Sequence, residues 1–138
     1  MSKILNFTVN NNEFGLDLDY VERILSSKEI TQIPESPVYI EGVINYQEQV
    51  ISVMNLAKRL NILANNKLCT MIIVNVNDKT FGLLVDEVKG ILETDLNNNS
   101  DKENKNFSSK LINGYLKLND KIITILSVNE LFNSKELI

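Results

Sequence analysis

The chain has no histidine, no tryptophan, one cysteine and two prolines. The missing histidine removes the commonest general base, the commonest metal ligand and the phospho-acceptor of histidine kinases. With one cysteine and no histidine, a zinc site has no ligand set and no internal disulfide can form. Cys69 lies in the apolar run LCTMIIV and reads as a small buried hydrophobe rather than a reactive thiol. No Walker A, GxGxxG or GxSxG spacing occurs. No apolar run approaches the ~18 residues that span a bilayer. The opening MSKILNFTV is too short and too polar for a secretory core. The net charge of −4 weighs against a nucleic-acid footprint. A cytosolic protein without metal or cofactor is expected.

What is present suits one globular domain. The 138 residues are 43% apolar and 23% charged, enough to bury a core without covalent staples.

The chain also repeats itself, and repeats decide the architecture. Ile4–Leu25, ILNFTVNNNEFGLDLDYVERIL, aligns without gaps on Met71–Leu92, MIIVNVNDKTFGLLVDEVKGIL, at an offset of 67. Phe14-Gly15-Leu16 falls on Phe81-Gly82-Leu83, and Asn10-Asn11-Asn12 on Asn77-Asp78-Lys79. Gly42–Leu56, GVINYQEQVISVMNL, aligns on Gly114–Val128, GYLKLNDKIITILSV, at an offset of 72. The polar segment Asp95–Lys110 absorbs the difference and reads as a surface loop. An internal repeat of roughly residues 4–56 and 71–128 is therefore expected within one domain spanning 1–138.

Each copy reads as about five strands. Ile4–Val9, a strand through Phe14 and Leu16, Val21–Leu25, Val43–Tyr46 and Gln49–Met54 form the first set. Met71–Val76, Thr80–Val85, Val88–Leu92, Ile112–Leu118 and Lys121–Leu126 form the second. Phe14, Leu16, Val53, Phe81, Leu83, Val85 and Ile125 are the expected core. Helix is scarce: Asn55 caps Leu56–Leu60, and Ser127 caps Val128–Phe132. Ser127 and Glu130 have the spacing of a reciprocal capping box. Pro34 and Pro37 bracket a turn at Glu35-Ser36. The class is all-β, two small barrels with short helices.

Read in order, FGLDLDYVERI, ITQIPESPVYIEGVIN, VISVMNLAKRL, FGLLVDEVKGIL and INGYLKLNDKIITILSVNELF resemble the CheW family of bacterial chemotaxis coupling proteins. The resemblance runs from about Ile4 to Phe132. It implies two intertwined five-stranded SH3-like barrels. It also implies a non-catalytic adaptor between chemoreceptor cytoplasmic tips and the regulatory domain of the histidine kinase CheA, held at membrane receptor arrays through those partners without inserting into the membrane.

The family pattern Gly-Val-x-Asn-Leu-Arg-Gly is matched by Gly42, Val43 and Asn45. Tyr46, Gln47 and Glu48 depart from it. Arg23 stands where the pattern has Glu, and Asn55 where it has Asp. By resemblance the partner-contact residues are Val21, Arg23, Asn45, Tyr46, Gln47 and Glu48. Tyr46 reads either as an exposed aromatic anchor or as a packed strand residue. If Arg23 and Glu48 face each other, an ion pair of reversed polarity results. It would alter partner choice more than stability. The pair Gln47-Glu48 is also poor chemistry for a tight turn, which favours Gly, Asn or Asp. A longer or differently typed loop would avoid a left-handed Glu48, which costs on the order of 1 kcal/mol.

Other classes compete. Asp17 with Asp19, and Asp86 with Glu87, are carboxylate pairs of the kind acid–base chemistry uses, but solvated strand-end carboxylates explain them more simply. A nucleic-acid-binding small barrel needs a basic groove with exposed aromatics, and this chain is acidic. Within the family, a module that binds only the kinase, or one serving a pathway other than chemotaxis, is the remaining alternative.

Overall fold

The computed structural model describes residues 2–26, 28–63, 70–94 and 109–132. Cys69 and most of the segment Asp95–Lys110 lie outside the described residues. Ten strands run in chain order: β1 Ser2–Val9, β2 Asn12–Asp17, β3 Val21–Ser26, β4 Ile40–Tyr46, β5 Gln49–Asn55, β6 Thr70–Val76, β7 Lys79–Val85, β8 Glu87–Thr94, β9 Ile112–Leu118 and β10 Lys121–Leu126. Two short helices follow β5 and β10: α1 Leu56–Leu60 and α2 Val128–Leu131.

Four hairpins with two-residue loops fix the register. Their closing pairs are Val9 with Asn12, Tyr46 with Gln49, Val76 with Lys79 and Leu118 with Lys121. Asn10 and Asn11 sit at φ 49° and 66°, and Asn77 and Asp78 at 51° and 66°. These left-handed pairs have the signature of a type I′ turn, whose twist matches that of the strands. Gln47 and Glu48 do the same, at 48° and 66°. The expected escape into another loop type does not occur. The strand register on both sides holds the tip in the strained form.

The strands assemble into two five-stranded sheets, β8-β1-β2-β10-β9 and β3-β6-β7-β5-β4. We call them the first and second barrels. Neither is built from one copy of the repeat. The chain lays β1 and β2 in the first, β3 to β7 in the second, then returns for β8 to β10. The pairings nevertheless obey the repeat offsets. Gly15 pairs with Ile125 where Gly82 pairs with Val53, in parallel ladders. Phe7 pairs with Val88 where Val74 pairs with Val21, each beside a bulge.

Strand residues alternate between two apolar environments, because each sheet faces its own barrel interior on one side and the other barrel on its second. Between the barrels lies the larger core, including Phe7, Phe14, Leu16, Met54, Leu56, Phe81, Leu83, Val85 and Phe132. Phe81 and Phe132 stack at 4.8 Å. The second barrel's interior holds Ile44, Tyr46, Ile51, Val53, Met71, Ile73 and Leu84. The first barrel's is smaller: Ile4, Ile123 and Ile125, with Leu92 and Leu116 against them. Each fully buried large side chain contributes about 1.5–3 kcal/mol, so most burial energy binds barrel to barrel. Every residue expected in the core is buried.

The caps form with one correction. Asn55 Oδ1 accepts from Lys58 N at 3.2 Å, and Ser127 Oγ accepts from Glu130 N at 3.4 Å. The reciprocal half of the capping box is missing. Ser127 N is taken by Leu111 O at 2.8 Å, and the Glu130 carboxylate turns to Lys110 at 3.8 Å. The proline-bracketed turn places Glu35 at φ 62°, and Ser36 Oγ donates to Ile33 O at 3.1 Å.

Candidate functional site

The residues singled out by resemblance gather on the second barrel, on β3 and on the β4–β5 hairpin. On β4, Gly42, Ile44 and Tyr46 form the buried inward set, while Ile40, across a register shift, packs in the core between the barrels. Asn45 faces outward and sits opposite Val50 of β5. Val50 is 65% exposed, so Asn45, Val50 and the strained Gln47-Glu48 tip make one exposed surface. Arg23 and Ile24 of β3 are also exposed.

Gly42 shapes this strand. It adopts φ +150°, and a Cβ there would collide with the Thr31 carbonyl oxygen. That close approach lets Thr31 and Val43 exchange backbone hydrogen bonds at 2.9 and 2.8 Å. The segment leaving β3 is thereby bridged to β4, drawing together the edges of the second barrel.

Tyr46 completes the seam. It is 3% exposed, and its hydroxyl donates to Glu22 Oε2 at 2.7 Å. Tyr46 is therefore the packed strand residue, not an exposed aromatic anchor; its parity with Ile44 dictates this. Burial raises the pKa of its phenol above the ordinary value, the Glu22 hydrogen bond and charge raise it further, and the Arg23 charge opposes them. Arg23 thus lies within electrostatic reach of the Tyr46 hydroxyl. Among the described residues it forms no ion pair with Glu48, so the reversed-polarity pair is not made. Val21 is half-buried and packs on the inter-barrel core. Arg23, Asn45, Gln47 and Glu48 remain solvent-facing.

Sequence reasoning missed Glu22, whose partner is 24 residues away, and the exposed aliphatics Ile24 and Val50. It also missed a network behind the hairpin. Glu41 of β4 accepts from Asn55 Nδ2 at 2.9 Å and from Lys58 Nζ at 2.8 Å. Burial alone would raise the Glu41 carboxyl, but the Lys58 and Asn55 hydrogen bonds and the Lys58 charge outweigh it and hold it below 4.5.

One carboxylate of each pair weighed for acid–base chemistry has a structural task. Asp17 Oδ1 accepts from Asp19 N at 3.0 Å, capping a 3-10 turn at Leu18–Tyr20. Asp86 Oδ2 accepts from Asn10 N at 2.6 Å, tying the β1–β2 tip to the start of β8.

Compared with known proteins, residues 3–136 match the CheW-like domain family. A chemotaxis protein CheW of Thermotoga maritima is 33% identical over 94% of this chain and 86% of its own length. The chain belongs to the CheW family. Another CheW, from Treponema pallidum, is 23% identical over 98% of this chain and 84% of its own. Among solved structures, the scaffolding protein TtCheW of Thermoanaerobacter tengcongensis superposes with a TM-score of 0.89. It is 33% identical, covering 98% of this chain and 91% of that one. Among the described residues no helix is long and apolar enough to cross a membrane.

Proposed function

We propose that this chain is a non-catalytic adaptor of chemotaxis signalling. It couples chemoreceptor cytoplasmic tips to the regulatory domain of the histidine kinase CheA, from the cytoplasmic side of receptor arrays. One observation carries the reading. A rigid barrel edge presents Arg23, Asn45, Gln47, Glu48 and the apolar Val50 to solvent, while nearby polar side chains are consumed in structural bonds. That is the composition of a recognition surface held by packing. CheW membership across nearly the whole chain and the likeness to a scaffolding protein support it.

The departures at 23, 47 and 48 bear on which partners are met. Charge at an interface rim acts mainly on specificity and encounter rate. The chain is therefore matched to a receptor or kinase set whose complementary charges differ from those the usual pattern meets.

Calorimetric titration against a receptor tip and, separately, the kinase regulatory domain tests this. Micromolar binding to both is expected. Binding to the kinase alone would replace the adaptor with a module confined to the kinase. Binding to neither would sink the proposal. A triple variant, Arg23→Glu, Gln47→Arg and Glu48→Gly, should shift preference toward partners of relatives with the usual pattern; an unchanged preference would remove the specificity argument.

A further inference from the structure

β3 carries a bulge immediately before Arg23. Val21 pairs with Val74 and Arg23 with Ile73, so Glu22 is the extra residue. A bulge bends its strand and re-aims the side chains beside it. The Glu22 carboxylate accepts the Tyr46 hydroxyl at 2.7 Å, and the Tyr46 ring is packed in the second barrel's interior. The extra residue of the bulge is thus tied to a fixed point on β4, at the opposite edge of the sheet.

The first barrel has the same bulge without the tie. Val88 pairs with Phe7 and Gly90 with Asn6, leaving Lys89 as the extra residue. By the offsets of 67 and 72, Lys89 stands for Glu22, Gly90 for Arg23 and Leu118 for Tyr46. Leu118 has no polar group to bond to Lys89. The residue after this bulge sits at φ +153°, a backbone that side chains rarely adopt. A Cβ there would meet nothing within 4 Å, so backbone and not crowding sets the position apart. After the tied bulge, Arg23 does not stand at positive φ.

The tie also bears on what the guanidinium meets. Glu22 is next to Arg23 in sequence, and its carboxylate is bonded to Tyr46. Among the described residues Arg23 makes no ion pair. We propose that Tyr46 and Glu22 are positioning residues: their bond holds the β3 bulge in the form that aims the Arg23 guanidinium at a carboxylate on the adaptor's protein partner. A guanidinium meets a carboxylate through a planar fork of parallel hydrogen bonds, so direction matters as well as charge. The partner rests on the adaptor reading of this chain; the tie on the bulge does not.

The test has two arms. In the first, NMR of the ¹³C,¹⁵N-labelled full chain reads the backbone HN–Hα and side-chain N–Cγ couplings of Arg23. They should report one φ and one χ1 rotamer in the wild type, and averaging in Tyr46→Phe. Couplings unchanged by the substitution would overturn the proposal. The second arm is a double-mutant cycle, read by calorimetric titration against the kinase regulatory domain and against a receptor tip. Arg23→Ala should weaken binding to at least one of them roughly three- to tenfold. Tyr46→Phe removes no charge, yet should weaken the same partner at least roughly twofold, and should cost nothing further once Arg23 is alanine. Equal weakening by Tyr46→Phe with and without Arg23 would make Tyr46 a packing residue only and overturn the proposal. Binding indifferent to Arg23→Ala, or sensitive to it but not to Tyr46→Phe, would overturn it too. A wild type that binds neither partner would sink the adaptor reading and the recognition half of the proposal, while the couplings would still decide whether the tie positions Arg23.

Discussion

The Tyr46 hydroxyl and the Glu22 carboxylate are joined at 2.7 Å across the seam of the second barrel. The CheW-like pattern has an acid at position 23 and a base at position 47. Here β3 and the end of β4 are joined by Glu22 and Tyr46, one residue before each of those positions. Tyr46 is buried in the barrel, while Arg23 and Gln47 face solvent.

Tyr46→Phe removes that bond while keeping the ring. The expected loss is about 1 kcal/mol, below the full value of a hydrogen bond to a charged group because Glu22 is exposed. The raised phenol pKa gives a second readout. A group whose folded value lies above its unfolded value contributes stability that is complete below the unfolded value, near 10. That contribution is lost as pH rises through the folded value. Denaturant melts from pH 8 to 12 should show the wild-type advantage over Tyr46→Phe shrinking above pH ~10. A constant difference would mean that the hydroxyl is not the coupled group.

The hairpin tip stores strain in Gln47 and Glu48 at φ 48° and 66°. Replacing them by Asn and Gly, the residues this turn prefers, should stabilise the chain by about 1–2 kcal/mol, raising Tm by roughly 3–8 °C. If partner affinity falls as stability rises, the tip is retained for recognition. If neither changes, the left-handed tip is not strained by its side chains.

Most strands were legible because β-branched runs and turn residues mark them, and β4 shows why burial was legible too. Gly42, Ile44 and Tyr46 share parity, so the apolar face of the strand carries Tyr46 inward. Barrel membership was harder to read. β2 pairs with β10 across more than a hundred residues, and local pattern does not encode which copy supplies the neighbour. The Glu22 bond and the Ser127 N–H bond to Leu111 O were hidden for the same reason: each depends on a contact between distant segments. The Gln47-Glu48 turn misled because preference alone argued against it, whereas the register of two long strands decided it.

Glu41 should carry part of the acid sensitivity. Its carboxyl is held below 4.5 by Lys58 and Asn55 despite burial. A depressed folded value contributes stability that is present above the unfolded value and lost as pH falls through the folded one. The stability difference between wild type and Glu41→Gln should therefore be constant near neutrality and shrink below pH ~4.5. Lys58→Met should flatten that dependence. A difference that grows toward low pH would have the wrong sign for this network.

Arg59 joins α1, which follows β5 of the second barrel, to α2, which follows β10 of the first. Its Nη2 donates to Glu130 O at 3.0 Å and its Nε to Leu131 O at 3.3 Å, while the guanidinium lies 4.7 Å from the Tyr39 ring centroid. The carbonyls at the end of α2 have no partners within a helix so short, and a planar fork satisfies two of them at once. Lysine has no such fork. Arg59→Ala should cost about 1–2 kcal/mol, and Arg59→Lys should recover less than half of it. The urea midpoint should fall with an unchanged slope, as for a lost native contact rather than an altered unfolded state. Amide exchange should accelerate at Leu131 and Phe132, whose N–H groups bond within this turn, before it does in β4. Full recovery by lysine would reduce Arg59 to a charge. Faster exchange throughout the second barrel would make it a general packing residue rather than a clamp between the two barrels.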